Sequence, residues 1–338
     1  MILFVCDQIA GAEYIFPLLL DFKKNQFTNW TVVSSEVSSR FLANRGFDSL
    51  TLKDPSSFDA ESYLDRLQPE LALISTSQNS LLERKFLQSL KKRGTHSYQF
   101  IDNWMNYSQR FTVHNELLYP DGIFTLDTTA KEEMIRAGIP EQLIQIVGQP
   151  YLEYQLNTLS RSKEPHTNKN SVLLISQPVA QYYNKRLDYD EVSFVKTALQ
   201  SCQTAGISEA KIKILLHPTQ EPSVLQKLLP QERSDQMILK KFPDHLDKFG
   251  HVLGMFSLLM VQTSLVGIPT ASLQPGGKGE DLCFLSKKGY IPKLTTVEET
   301  VTFLQTDQNF NPPQALIDSI RGSLIRLKTL VLEKRSTK

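Results

Sequence analysis

A chain of 338 residues with 37 Lys and Arg against 36 Asp and Glu carries a formal charge of +1. At 41% hydrophobic and 22% charged residues it holds apolar material for about two domains of ordinary size, which excludes disorder as its main state. The even balance also excludes a general nucleic-acid binder, which needs a surplus of cations to displace counterions from phosphates.

The first half alternates strand-like and helix-like segments. Residues 2–7 are a continuous apolar run, the pattern of a strand covered on both faces. A loop at 8–12 leads into 13–24, where apolar residues recur at helical spacing. A strand at 31–34 precedes a helix at 36–45, which Gly46 ends as a residue tolerant of left-handed backbone should. The alternation continues with strands at 49–52, 71–75, 98–102, 122–126 and 144–147, and helices at 60–67, 80–93 and 128–137. A polar stretch at 157–170, rich in Ser, Thr, Asn and Lys, reads as a linker. After it come strands at 172–176, 211–216, 237–240, 251–255 and 270–273. Helices are predicted at 189–203, 223–229, 244–249, 257–266, 297–305 and 313–333. Two such series predict an α/β protein with two Rossmann-like doubly wound domains facing a cleft: 1–156, a linker at 157–170, and 171–338 with a terminal helix. Ligands of such sheets bind at the carboxyl ends of the strands, near a topological switch point.

Three cysteines, Cys6, Cys202 and Cys283, form no CxxC pair and no zinc spacing, so they read as reduced thiols of a cytoplasmic protein. No basic residue precedes the N-terminal apolar run, and Asp7 and Glu13 break it, so no signal peptide is expected. Residues 252–277 contain no Lys, Arg, Asp or Glu. Gly254, Ser257, Gln262, Gly267 and Pro269 divide them, which predicts a buried strand, helix and strand in place of a membrane span.

That stretch carries the strongest constellation. Gly254 allows a sharp exit from a strand and close backbone approach, and Ser257 sits at the N-cap of the next helix, where amides and the helix dipole favour a phosphate. The loop 274–279, with Gln274, Gly276, Gly277 and Lys278, is a second candidate anion site; the alternative is a tightly packed turn. His217, after a buried strand and before Pro218, would donate to a phosphate or be satisfied by local backbone. A second constellation lies at 100–111. Asp102 ends a strand, and Trp104, Tyr107 and Arg110 come within nine residues. A carboxylate beside aromatic rings suits a sugar, and Asp102, or else Glu13, would take a proton from an acceptor hydroxyl. Otherwise the rings pack under the sheet and Asp102 caps a turn. Asp7 and Asp127 read first as caps. Asp188-Tyr189-Asp190 reads as the start of a helix in place of a metal motif, so no metal is expected.

Gly254-x-x-Ser257, a short helix, Gly267-Ile268-Pro269, a strand and a Gly-rich loop together resemble the C-terminal domain of GT-B-type glycosyltransferases, an arrangement shared by the related UDP-N-acetylglucosamine 2-epimerases. Gly11 in the first loop, Gly148-Gln149-Pro150 and His217-Pro218 resemble further elements of that superfamily. Gln262 stands where many members carry a ribose-binding glutamate, which weakens that contact by removing its charge. In place of the Asp/Glu-Asp/Glu-Gly that supplies the base in bacterial sialyltransferases, the N-terminal half has only Asp121-Gly122. The resemblance implies a nucleotide-sugar substrate with no further cofactor. It implies nucleotide binding through His217, Gly254, Ser257, Gln262, Gln274, Gly276 and Gly277. A carbohydrate or glycoconjugate acceptor would then lie near Gly11, Trp104, Tyr107 and Arg110. The expected activity is glycosyl transfer in surface polysaccharide or glycoconjugate synthesis. The alternatives are a sugar-nucleotide epimerase or hydrolase on the same scaffold, and a non-catalytic binding protein. Basic residues in 324–338 suggest weak contact with the inner face of a membrane, or simply a solvated tail.

Overall fold

A computed structural model describes residues 1–54, 57–77, 80–113, 116–159, 170–183, 186–240, 246–277, 279–306 and 310–336. The chain is α/β and divides into two compact units, Met1–Asn157 with Asp318–Lys338, and Thr158–Ile317. Most of the linker expected at 157–170 lies outside the described residues, as do His245 and Lys278.

The first unit is built on seven parallel strands: β1 (Ile2–Cys6), β2 (Trp30–Ser35), β3 (Leu50–Leu52), β4 (Leu71–Ile74), β5 (His96–Phe100), β6 (Gly122–Thr125) and β7 (Ile144–Ile146). Their order is β3-β2-β1-β4-β5-β6-β7, the doubly wound arrangement. Strand β1 shows why its sequence is apolar throughout. Ile2, Phe4 and Cys6 enter one core with helix α1 (Ile9–Lys24), while Leu3 and Val5 enter the opposite core with helices α2 (Ala60–Leu67) and α3 (Leu81–Arg93). A parallel strand between two helical layers has no solvent face on which to place polar residues.

The second unit has six parallel strands: β8 (Val172–Ile175), β9 (Ile212–Leu215), β10 (Ile238–Leu239), β11 (His251–Gly254), β12 (Thr270–Leu273) and β13 (Lys293–Leu294). Their order, β10-β9-β8-β11-β12-β13, repeats the same winding. The charge-free stretch forms β11, helix α4 (Leu258–Leu265) and β12, all essentially buried. Among the described residues no helix is long and apolar enough to cross a membrane.

The structure corrects two boundaries. A helix over Pro150–Leu159, begun by a proline that needs no amide partner, occupies the start of the expected linker. The terminal helix is broken at Gly322, whose φ of +76° is left-handed, and its second part, Ser323–Ser336, belongs to the first unit, not to 171–338. Leu327 and Val331 are buried in the core of β1, and Glu153 accepts the amides of Gly322 at 2.6 Å and Leu324 at 2.8 Å. The basic residues of this helix are likewise engaged within the unit. Arg326 donates to the Val147 carbonyl at 2.8 Å, Lys328 pairs with Asp21 at 2.7 Å and Arg335 with Glu70 at 2.8 Å.

Candidate functional site

In the first unit β1 and β4 are neighbours from which the chain departs in opposite directions, so their carboxyl ends form the switch point. Glu83 of α3 reaches this place from below. Its carboxylate accepts the Asp7 amide at 2.9 Å, the Ser77 amide at 2.6 Å, the Ser77 hydroxyl at 2.9 Å, and the Ser75 hydroxyl. Only 1% of the residue is exposed. Burial pushes its carboxyl up to about 7, against the opposite pull of these donors. Gly11 lies against the same loop, and a Cβ there would stand 2.6 Å from Ser75 Oγ. Gly11 therefore serves close packing of α1 on the strand ends, which is a different role from contact with an acceptor. The Asp7 carbonyl accepts Ser38 Oγ at 2.9 Å and Ser35 Oγ.

Asp102 lies two residues beyond β5 and is 17% exposed. It forms an ion pair with Arg110 at 2.6 Å. The same guanidinium donates to Thr76 O at 2.9 Å and to Met105 O at 3.1 Å, so it ties the loops after β4 and β5 together and fixes the carboxylate between them. Glu13, in the first turns of α1, has its carboxyl pushed up to about 8. Burial is the main cause, opposed by Arg45 and reinforced by the negative charge of Asp102. The two expected acid–base residues are thus within electrostatic reach of one another, and Arg110 belongs to their support.

The two expected sugar-binding aromatics are placed differently. Trp104 is 3% exposed and donates its indole N–H to Asp127 at 2.7 Å, and Tyr107 is 8% exposed and donates its hydroxyl to Glu133 at 2.8 Å. Both rings pack on the helix over Thr128–Arg136, whose N-cap is Asp127. Their faces are covered, so they present no stacking platform to a sugar.

In the second unit the strand ends carry a row of polar groups. His217 follows β9. Its Nδ1 accepts the Thr219 amide at 3.3 Å and lies 2.8 Å from the Thr219 hydroxyl. An amide can only donate, so the neutral ring carries its proton on Nε2. Burial holds this imidazole below its usual range, in favour of that neutral form. After β8, Gln177 accepts the Phe256 amide at 3.1 Å and so joins the loops after β8 and β11 across the second switch point. Gly254 ends β11 where a Cβ would stand 2.7 Å from Met260 Sδ and 3.5 Å from Ile175. Ser257 caps α4, accepting the Leu259 amide at 3.3 Å. Gln262 is buried on α4. Three buried atoms at this edge, Ser176 Oγ, Gln220 Nε2 and Gln274 Oε1, have no hydrogen-bond partner among the described residues.

The Gly-rich loop differs from an open anion nest. Gln274 is fully buried and donates to Asp281 at 2.6 Å and to Ser272 at 2.9 Å. Gly276 and Gly277 are left-handed, and a Cβ on Gly277 would collide with Thr295. A Cβ on Gly276 or Gly279 would meet the Asp188 carboxylate at 3.7 or 3.4 Å, so an acid lines that side of the loop. Asp190 caps the helix over Glu191–Thr204 in a capping box with Ser193. Among the described residues no group of three or more His, Cys, Asp or Glu is arranged to hold a metal.

Three side chains at these strand ends escape the sequence reading. Glu83 was hidden because Ser80-x-x-Glu83 has the form of a capping box. Ser80 does accept the Glu83 amide at 3.1 Å, but the carboxylate turns to the strand ends instead. Gln177 and Gln220 had no motif to mark them.

No protein-family model matches the chain, and no curated protein matches it. Solved structures match along nearly its whole length. A UDP-N-acetylglucosamine 2-epimerase from Neisseria meningitidis bound to UDP-GlcNAc is 12% identical, with 98% of this chain and 99% of that one covered at a TM-score of 0.67. The enzyme from Methanocaldococcus jannaschii in complex with UDP-GlcNAc and UDP is 13% identical, with 98% and 99% covered at 0.66. The one from Rickettsia bellii is 16% identical, with 99% and 97% covered at 0.65. At such identities the likeness is one of architecture: the chain has the fold of the UDP-N-acetylglucosamine 2-epimerases.

Proposed function

We propose that the chain binds a UDP-sugar through its second unit and changes the sugar itself, as a sugar-nucleotide epimerase or hydrolase. The observation that carries this reading is the carboxyl pair of the first unit. Glu13 holds its proton near neutral pH, while Asp102 is ion-paired with Arg110. A carboxyl that keeps its proton, with a second carboxylate fixed in an ion pair, can supply an acid and a base together. Epimerisation at C2 needs both: the base takes the C2 proton as the bond from C1 to the UDP oxygen breaks, leaving a C1=C2 double bond and UDP, and the acid then protonates the opposite face of C2 as the UDP oxygen bonds C1 again. In this reading Asp102 is the base and Glu13 the acid, and the net composition of the sugar is unchanged. For hydrolysis the same pair would activate water and protonate the departing sugar or diphosphate oxygen.

The second unit's part is recognition. His217 Nε2–H is a neutral donor suited to a phosphate oxygen, and the unpartnered Ser176, Gln220 and Gln274 atoms supply further donors and acceptors. The phosphate-favouring amides at Ser257 begin a well-formed helix of eight residues. Glycosyl transfer is the weaker alternative, because the aromatic face on which an acceptor sugar would rest is covered in Trp104 and Tyr107. The names of the proteins that share the fold point the same way.

The test is incubation of UDP-GlcNAc with the protein in deuterium oxide without any acceptor. The expected result is a C2-epimeric UDP-sugar carrying deuterium at C2, or release of UDP with free sugar. Unchanged substrate with no deuterium and no UDP, together with no binding of UDP in calorimetry, would overturn the reading.

A further inference from the structure

Glu83 stands where a bound anion would stand. Its carboxylate is the acceptor for two main-chain amides, those of Asp7 and Ser77, and for the hydroxyls of Ser75 and Ser77. These donors come from the loops after β1 and β4, the two strands that flank the switch point of the first sheet. Converging amides and hydroxyls at this position of a doubly wound sheet form the usual cradle for a phosphate or carboxylate of a ligand. Here the chain fills the cradle itself, from α3, with a side chain that is 1% exposed. The neighbouring Gly11 leaves no Cβ to push Ser75 away, so α1 closes over the same loop.

We infer that Glu83 is a specificity-determining residue: its buried carboxyl group fills the switch-point cradle of the first unit and closes it to phosphate and carboxylate ligands. The first unit then offers no free amide cradle to a charged group at this edge. The inference concerns the cradle alone and stands apart from the proposed reaction.

Truncation of the side chain tests it. In Glu83→Ala the four donors lose their acceptor, and a small carboxylate should replace the missing head group. Sodium acetate, formate and phosphate are added at constant ionic strength, with chloride as control, and thermal unfolding is followed. The expected result is a lowered melting temperature that acetate restores saturably, by about 5 °C or more at a hundred times its Kd, while wild type gains nothing. Glu83→Gln, which keeps the cradle filled, should respond to acetate far less than Glu83→Ala. If Glu83→Ala does not fold in plain buffer, recovery of the folded state on refolding with acetate is the supporting outcome. No response of Glu83→Ala to any of the three anions, or an equal response of wild type, overturns the inference. The readout needs no nucleotide, so its failure leaves the UDP-sugar reading intact. Failure of UDP to bind would equally leave the acetate result intact.

Discussion

Glu13→Gln should flatten the pH dependence of stability in the first unit. In the folded chain burial lifts this carboxyl from its ordinary 4.5 to about 8. Between those values the folded state keeps a proton that the unfolded chain has released. Folding therefore takes up a proton, and stability falls as pH rises from about 4.5 through about 8. One such group sets a limiting slope of about 1.4 kcal/mol per pH unit, so from pH 5 to pH 8 its share comes to roughly 3 kcal/mol. Glu83, raised to about 7, adds a fall of the same sign over the lower part of this range. The informative quantity is therefore the difference between wild type and Glu13→Gln. Urea unfolding at half-unit steps from pH 5 to pH 8.5 would measure it. Both tryptophans, Trp30 and Trp104, lie in the first unit, so indole fluorescence reports the unit that holds Glu13. The variant should gain on wild type by roughly 3 kcal/mol across the range. Stability curves that run parallel, or a wild type that becomes more stable toward pH 8, would refute the argument that the half-buried Glu13 keeps its proton.

Two further outcomes follow from the geometry. His217→Ala removes one neutral donor to a phosphate oxygen and should weaken UDP binding about tenfold by calorimetry; a change under about twofold would show that Nε2 does not face the ligand. Gly148→Ala should cost about 3 kcal/mol and lower the melting temperature by roughly 10 °C, since a side chain at this left-handed position is strained and its Cβ would collide with Ser323. A melting temperature within about two degrees of wild type would mean that the terminal helix moves aside at little expense.

Much of the architecture was legible in the sequence because its signals are local. Uninterrupted apolar runs such as 2–6 mark strands buried on both faces, and Gly46, Gly94 and Gly138 end helices by their left-handed backbone. The charge-free stretch could be divided into strand, helix and strand because Gly254, Ser257, Gly267 and Pro269 punctuate it. The short strand Lys293–Leu294 was missed, since two residues carry no periodicity. The break at Gly322 was missed because a glycine inside a helical pattern reads as a tolerated cost until its φ is known.

The site was less legible. Sequence marks Asp102 by its place at a strand end and Glu13 only as a second choice, and it does not tell that Arg110 pairs with one and that burial raises the carboxyl of the other. Trp104 and Tyr107 had the composition of a sugar platform, yet their polar tips found Asp127 and Glu133 inside the fold and covered the rings. Sequence alone determined the alternation of elements, the two doubly wound sheets and the neutrality of the buried β11–β12 segment, because hydrophobic period and turn chemistry act over a few residues. Only tertiary structure decided which carboxyl is solvated, paired or enclosed, and that Glu83 leaves its own helix cap for the ends of β1 and β4. The Glu83 contact joins groups 76 residues apart, and the Arg335–Glu70 pair joins groups 265 apart, brought together only once the fold has formed.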